Sequence, residues 1–360
     1  MKRSLPFNIP FTCFSGTTFI NCFTSVYMFL ENIMGEDSLE GKTQDGQPCD
    51  NCSGHNKTSD YQQRLYFLFD TMCGHSSLRC RFNGELTEMQ KMISDDSDSE
   101  IDIIKFLFDF TAYEYQKLTK PDEFKSAIIE SINAGRPVIA KVNAEVNNFR
   151  VITGYDDDTM LSPDYAEAQN RPETTLQYDE LTTLYVFGKK GKLVFSPLTS
   201  PLEKGLRRIE KVIDYNLHAN LWDDYINKFR YWGELSEQPL EEIQLRFRRA
   251  TETMWYTFNC HNFAETFRHC VYEEMRGAEF MDSWSRISIA CDNLHTQAWS
   301  IIHLVGSINL NNRPEWGVCE IMPLIFEKMK QHDIEILDAV KHVLDILHQK
   351  RDMKSILIYN

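Results

Sequence analysis

The chain has 360 residues, of which 42% are hydrophobic and 25% charged, and 53 acidic against 38 basic side chains give a formal charge of -15. That is an ordinary globular composition, long enough for two domains of about 150–200 residues each, and so acidic a surface repels phosphate, which argues against nucleic acid and anionic membranes as partners. No run approaches the ~18 apolar residues of a membrane span, no signal-peptide core follows the basic Met1-Lys2-Arg3, and the ten cysteines are scattered, so a cytoplasmic protein with reduced thiols is expected.

The first informative stretch runs from Asn21 to Glu31. Gly16, Thr17, Thr18 and Asn21 are turn and cap formers, and Val26, Phe29, Leu30 and Ile33 follow at helical spacing. With Asn21 as N-cap, Cys22 falls in the first helical turn, where unpaired N–H groups and the helix dipole favour a thiolate. A small buried core cysteine is the competing reading.

Residues 36–60 are polar and glycine-rich, as in a surface loop. They carry Cys49 and Cys52, and Cys73 and Cys80 follow. The second spacing is too long for a regular zinc motif, so free or redox-active thiols are expected there, with a zinc site on Cys49, Cys52, Cys73 and Cys80 the alternative, and no cofactor is assigned. Tyr61 to Phe69 reads as an aromatic helix, Ser94 to Glu100 as an acidic solvated loop, and Ile101 to Tyr115 as either helix or buried strand.

Asp122 to Asn133 is an amphipathic helix with Phe124, Ile128, Ile129 and Ile132 on one stripe, ended by Ala134-Gly135-Arg136-Pro137. Strands are expected at 138–142, at 149–153, continuing from Gly154 through the acidic turn Asp156-Asp157-Asp158 into a further strand that ends at Leu161, and at 184–187, with Gly188 to Lys192 as a basic hairpin turn. Together these give a small antiparallel sheet packed by helices. From about Pro201 the pattern becomes helical, over 206–231, 240–256, 258–276, 284–306, 320–331 and 333–350, with breaks at Gly233, Pro239, Gly277, Pro314 and Pro323. Most of the six tryptophans, all in or beside this half, are expected in its core. On its helices His261 and His269 flank Glu265, and His295 and His303 repeat the same eight-residue spacing; core or solvated histidines are the simpler reading, a metal stripe the alternative.

A helix-mouth cysteine, a distant Gly-Arg-Pro-Val-Ile strand and a strand ending in Gly-Tyr-Asp-Asp-Asp resemble the papain-like fold of C39-type peptidases over about residues 10–190. The layout is similar to the N-terminal domain of the butirosin-biosynthesis acyltransferase group and to cysteine-protease homologues of clostridial natural-product assembly, including polythioamides. The resemblance implies an α+β fold: a papain-like domain over residues 1–200 with a small antiparallel sheet, then an all-helical domain over 201–360. It implies a Cys22 nucleophile, a histidine base where this chain has Asn148, and an orienting acid near Ser162, with Asp164 two residues on. No histidine stands between Ser76 and Leu217, so a base would have to come from His75, His218 or His261. Thr18, Asn21, Arg150 and Tyr155 are the candidates for substrate or oxyanion contacts, Arg150 alternatively pairing with one of Asp156, Asp157 and Asp158.

The activity so implied is a cysteine-dependent acyltransferase that takes an acyl group from a carrier-protein or other thioester and forms an amide with an amine acceptor, in bacterial natural-product biosynthesis. A thiolate leaving group needs little protonation, so the lost histidine weighs more against peptide hydrolysis than against acyl exchange. An acidic carrier would need a basic patch such as Lys189, Lys190, Lys192, Lys204, Arg207 and Arg208. The alternatives are a catalytically degenerate papain-like module that binds a small molecule or a protein, and, last, a cysteine peptidase. A homodimer stays open.

Overall fold

The structure is a computed structural model, and it describes residues 2–7, 19–32, 60–77, 79, 82, 103–142, 149–156, 158–163, 174–191, 201–257, 266, 278–307 and 316–358. Two compact units result: residues 1–69 with 93–193, and residues 70–92 with 194–360. The segment 70–92, expected within the first domain, belongs to the second unit.

The first unit is mixed α+β. Its elements are β1 (Lys2–Ser4), α1 (Phe19–Leu30), α2 (Asp60–Met72, continuing into the second unit), α3 (Ile103–Thr111), β2 (Tyr113–Leu118), α4 (Pro121–Asn133), β3 (Val138–Val142), β4 (Phe149–Ile152), β5 (Gly154–Asp156), β6 (Thr159–Ser162), β7 (Thr174–Gln177) and β8 (Leu181–Lys190). The strands form two antiparallel four-stranded sheets, ordered β1-β5-β6-β7 and β2-β8-β3-β4. The single sheet expected from the sequence is thus two. The chain changes sheet at Thr153, whose N–H donates to the Leu161 carbonyl at 2.9 Å and whose carbonyl accepts the Leu5 N–H at 2.8 Å. Gly154 follows because a Cβ there would stand 2.5 Å from the Arg3 carbonyl oxygen and 2.9 Å from the Ser4 Cα. The Gly-Tyr-Asp signature is therefore the place where β1 closes onto the chain.

The α4 stripe forms as its period requires. Phe124, Ile128 and Ile132 pack against Val138, Ala140, Ile152 and Leu184 in one apolar cluster, while Ile129 is only half-buried. The other face of that sheet carries aromatic rings. Phe19 lies 5.4 Å from Phe149 and 5.1 Å from Tyr185, and Phe23 lies 5.1 Å from Phe108 and 5.5 Å from Phe187, by ring centroids. A sheet covered on both faces explains why β3 reads as a near-continuous apolar run. The ambiguous stretch from Ile101 is both helix and strand: α3 ends at Thr111, Ala112 turns the chain with φ 57°, and β2 starts at Tyr113. Gly188 to Lys190, expected in a turn, instead extend β8, whose Lys190 pairs with Tyr113 of β2 across a register irregularity.

The second unit is helical: α5 (Pro201–His218), α6 (Leu221–Phe229), α7 (Trp232–Glu237), α8 (Leu240–Thr257), α9 (Ala278–Gly306) and α10 (Trp316–Ile358). Two expectations are corrected. The stretch 206–231 is two helices, because Asn220 adopts φ 52° between them. The stretches 320–331 and 333–350 are one helix that runs through Pro323. A proline inside a helix costs ~3 kcal/mol or more, but Met322, Phe326 and Met329 around it are all fully buried, and that packing holds the helix together. Trp222 and Trp284 are buried as expected, whereas Trp299 is half-buried and stacks on His303 at 4.6 Å. Among the described residues no helix is long and apolar enough to cross a membrane.

Candidate functional site

Helix α1 was expected to present a thiol at its mouth. Phe19 is its first residue, so Asn21 lies inside the helix and is not its N-cap. Asn21 is fully buried, as are Phe19, Cys22, Phe23 and Val26. A helix buried on nearly all sides carries its first turn into the aromatic core. The chemistry of Cys22 follows from that placement. Burial pushes its thiol far above the usual cysteine range, outweighing the nearby Arg150 charge and the backbone hydrogen bond that act in the other direction. Moving an anion out of water costs more than the partial charge at a helix end returns. The expected thiolate is replaced by a neutral core thiol.

The other candidates divide. Arg150 is half-buried on β4, paired in register with Ala140, and its charge reaches Cys22. Asp158 bonds to Lys125 at 2.8 Å, and that hydrogen bond holds its carboxyl below the ordinary range. Tyr155 lies on β5 in the other sheet, and its hydroxyl donates to Asn133 Oδ1 at 3.1 Å, an oxygen that also accepts from Arg3 Nη1 at 2.9 Å. Tyr155 therefore helps hold the end of α4. Ser162 is buried, with its hydroxyl 3.4 Å from the Pro163 carbonyl. Thr18, Asn148, Asp164, His261, Cys49, Cys52 and Cys80 lie outside the described residues.

In the second unit His75 opens a short 3-10 turn, and His218 is exposed with Nδ1 3.3 Å from Asp214 Oδ2. Cys73 is buried, and its thiol donates to the Asp70 carbonyl at 3.4 Å. Among the described residues no group of three or more His, Cys, Asp or Glu side chains is placed to hold a metal ion. Three of the six basic residues are engaged in structure, and Lys192 lies outside the described residues. Arg207 bonds to Glu203 at 3.1 Å, Arg208 donates to the Cys73 carbonyl at 3.1 Å, and Lys190 pairs with Glu31.

That last contact was not foreseen. Glu31, just past the end of α1, accepts from Lys190 Nζ and from the Tyr113 hydroxyl, and the Lys190 ammonium lies 5.7 Å from the Tyr113 ring and 5.9 Å from that of Tyr27. The signal was available: Tyr113 and Lys190 are direct cross-strand partners. Burial alone would raise the Glu31 carboxyl, but the bonds from Lys190 and Tyr113 and the Lys190 charge leave it below the ordinary glutamate range. A depressed carboxylate stabilises the fold above its unfolded pKa and loses that contribution as pH falls through the folded value. Stability of the native chain is therefore expected to start falling as pH drops below ~4.3, the ordinary glutamate value, and to go on falling until the lower folded value is passed. Glu31→Gln should show a shallower acid slope in urea titrations, and identical slopes would contradict the assignment.

A second unforeseen feature is a groove of about 280 Å³ on the α4 side of the sheet, lined by Glu114, Gln116, Glu130, Ser131, Arg136 and Val186 among others. Arg136, read from the sequence as part of a helix stop and of the Gly-Arg-Pro-Val-Ile stretch but not as a site residue, stands in its wall.

Compared with protein-family models and with curated proteins, the chain matches none.

Proposed function

We propose that the α+β unit is a papain-like domain of the C39 type whose catalytic set has decayed, and that it serves as a small-molecule binding module in the cytoplasm. The observation that carries this reading is the sealed sulfur: Cys22 has 0% exposure, with its thiol held neutral by burial. The sequence adds Asn148 where the resembled family has its histidine. A thiol that neither meets a substrate nor ionises lacks both requirements of a nucleophile.

Arg150 supports a second reading, because its charge at Cys22 works toward the thiolate. In that reading a movement uncovers the sulfur, and the chain is an acyltransferase that accepts an acyl group from a carrier-protein thioester and forms an amide with an amine. Intact-mass spectrometry after incubation with an acyl N-acetylcysteamine thioester separates the two, with peptide mapping to tell Cys22 from the other nine cysteines. The expected result is no adduct on Cys22 of the native chain. A Cys22 adduct that forms under native conditions and vanishes in Cys22→Ala would establish the second reading.

A further inference from the structure

The groove beside α4 holds one guanidinium and two carboxylates that leave one another alone. Glu114 projects from β2 and Glu130 from α4, both exposed, and Arg136 follows the helix. Among the described residues none of these three side chains makes an ion pair or hydrogen bond, and Arg136 Nε is buried without an acceptor. A partly buried guanidinium without a partner is costly, so the feature calls for an explanation in the surroundings of Arg136.

The surroundings are built, not incidental. The Ser131 hydroxyl donates to the Arg136 carbonyl at 2.9 Å, and the Arg136 N–H returns a bond to the Ser131 carbonyl, also at 2.9 Å. Ser131 itself is 1% exposed. These reciprocal bonds fix the turn that carries the arginine, so its side chain starts from a set position. On the opposite wall, a Cβ at Gly188 would stand 2.8 Å from the Glu114 Cβ and 3.0 Å from the Glu114 carbonyl oxygen, so the glycine lets β8 pass close beneath Glu114. The volume of about 280 Å³ lies at the small end of ligand sites.

We propose that this groove binds a small zwitterion of the amino-acid class. Arg136 takes the ligand carboxylate and Glu114 and Glu130 take its ammonium. A phosphate or dicarboxylate would meet two carboxylates for one guanidinium, and an apolar ligand would leave the partly buried Arg136 guanidinium without a partner. The inference rests on the binding-module reading and gives that module its ligand class.

The test is isothermal titration calorimetry on the full chain with each of the free L-amino acids, followed by the N-acetyl and methyl-ester forms of the tightest binder. At least one amino acid should bind, and blocking either of its charged groups should weaken binding tenfold or more. Arg136→Gln should lose tenfold or more for the free acid and no longer distinguish acid from ester. Glu130→Gln, at an exposed position that leaves folding intact, should narrow the gap between the free amine and its N-acetyl form. Thermal midpoints and circular dichroism establish that each variant is folded. Failure of every amino acid to bind, or binding unchanged in both variants, overturns the proposal. Acylation of Cys22 would overturn the non-catalytic reading and leave the calorimetric result standing, so the two failures are distinguishable.

Discussion

Asp333→Ala is expected to destabilise the helical unit by about 3–5 kcal/mol, the range for removing one member of a buried ion pair. Asp333 is fully buried on α10 and accepts two strong bonds, from Arg79 Nη2 at 2.7 Å and from Trp222 Nε1 at 2.7 Å. Arg79 is 6% exposed and also donates to the Ser76 carbonyl at 3.1 Å. Its guanidinium carbon lies 6.0 Å from the centre of the Trp222 ring. Removing the carboxylate leaves a guanidinium and an indole N–H in the interior with nothing to replace it. Urea denaturation followed by tryptophan fluorescence measures the loss. Replacing both charges at once, with Arg79→Met and Asp333→Leu, should cost much less than either truncation alone, because no orphaned charge remains. Equal loss in the double variant would mean that the pair stabilises the unit by its attraction.

The second large effect is expected at Phe23. Its ring lies 5.1 Å from Phe108, 5.5 Å from Phe69, 5.5 Å from Phe187 and 6.0 Å from Phe19. Phe23→Ala should cost the α+β unit about 3–5 kcal/mol, through lost burial and the cavity left behind. Cys22→Ala, one residue earlier, should cost only roughly 1–2 kcal/mol. Both are read from the same denaturation curves. The comparison bears on function, because α1 is held by rings on several sides, and any motion that uncovers Cys22 must part them. A Phe23→Ala variant that is as stable as the parent would mean that α1 is loosely held.

Periodicity carried much of this fold in advance. Phe124, Ile128 and Ile132 repeat at helical spacing and cover a sheet, and Val138 to Val142 forms a strand within the residues its pattern marked out. What escaped is tertiary. The change of sheet at Thr153 depends on β1, more than a hundred residues away in sequence, reaching Gly154. The unbroken α10 depends on packing around Pro323 that outweighs a local rule. The site shows the same split. The sequence placed Cys22 in a first helical turn, which it occupies, but burial decides the behaviour of its thiol, and burial is not a local property. Arg136 went unread as a wall of the groove for the same reason: its neighbours Glu114 and Val186 come from distant strands.

The central claim is that Cys22 is a core thiol, and its alkylation rate tests that most directly. Native chain is exposed to iodoacetamide near neutral pH, and each cysteine peptide is followed by mass spectrometry over time, with and without urea. Cys22 should stay unmodified in the native chain, reacting only as the α+β unit unfolds. Rapid native labelling of Cys22, faster than that of the buried Cys73, Cys291 and Cys319, would contradict the claim.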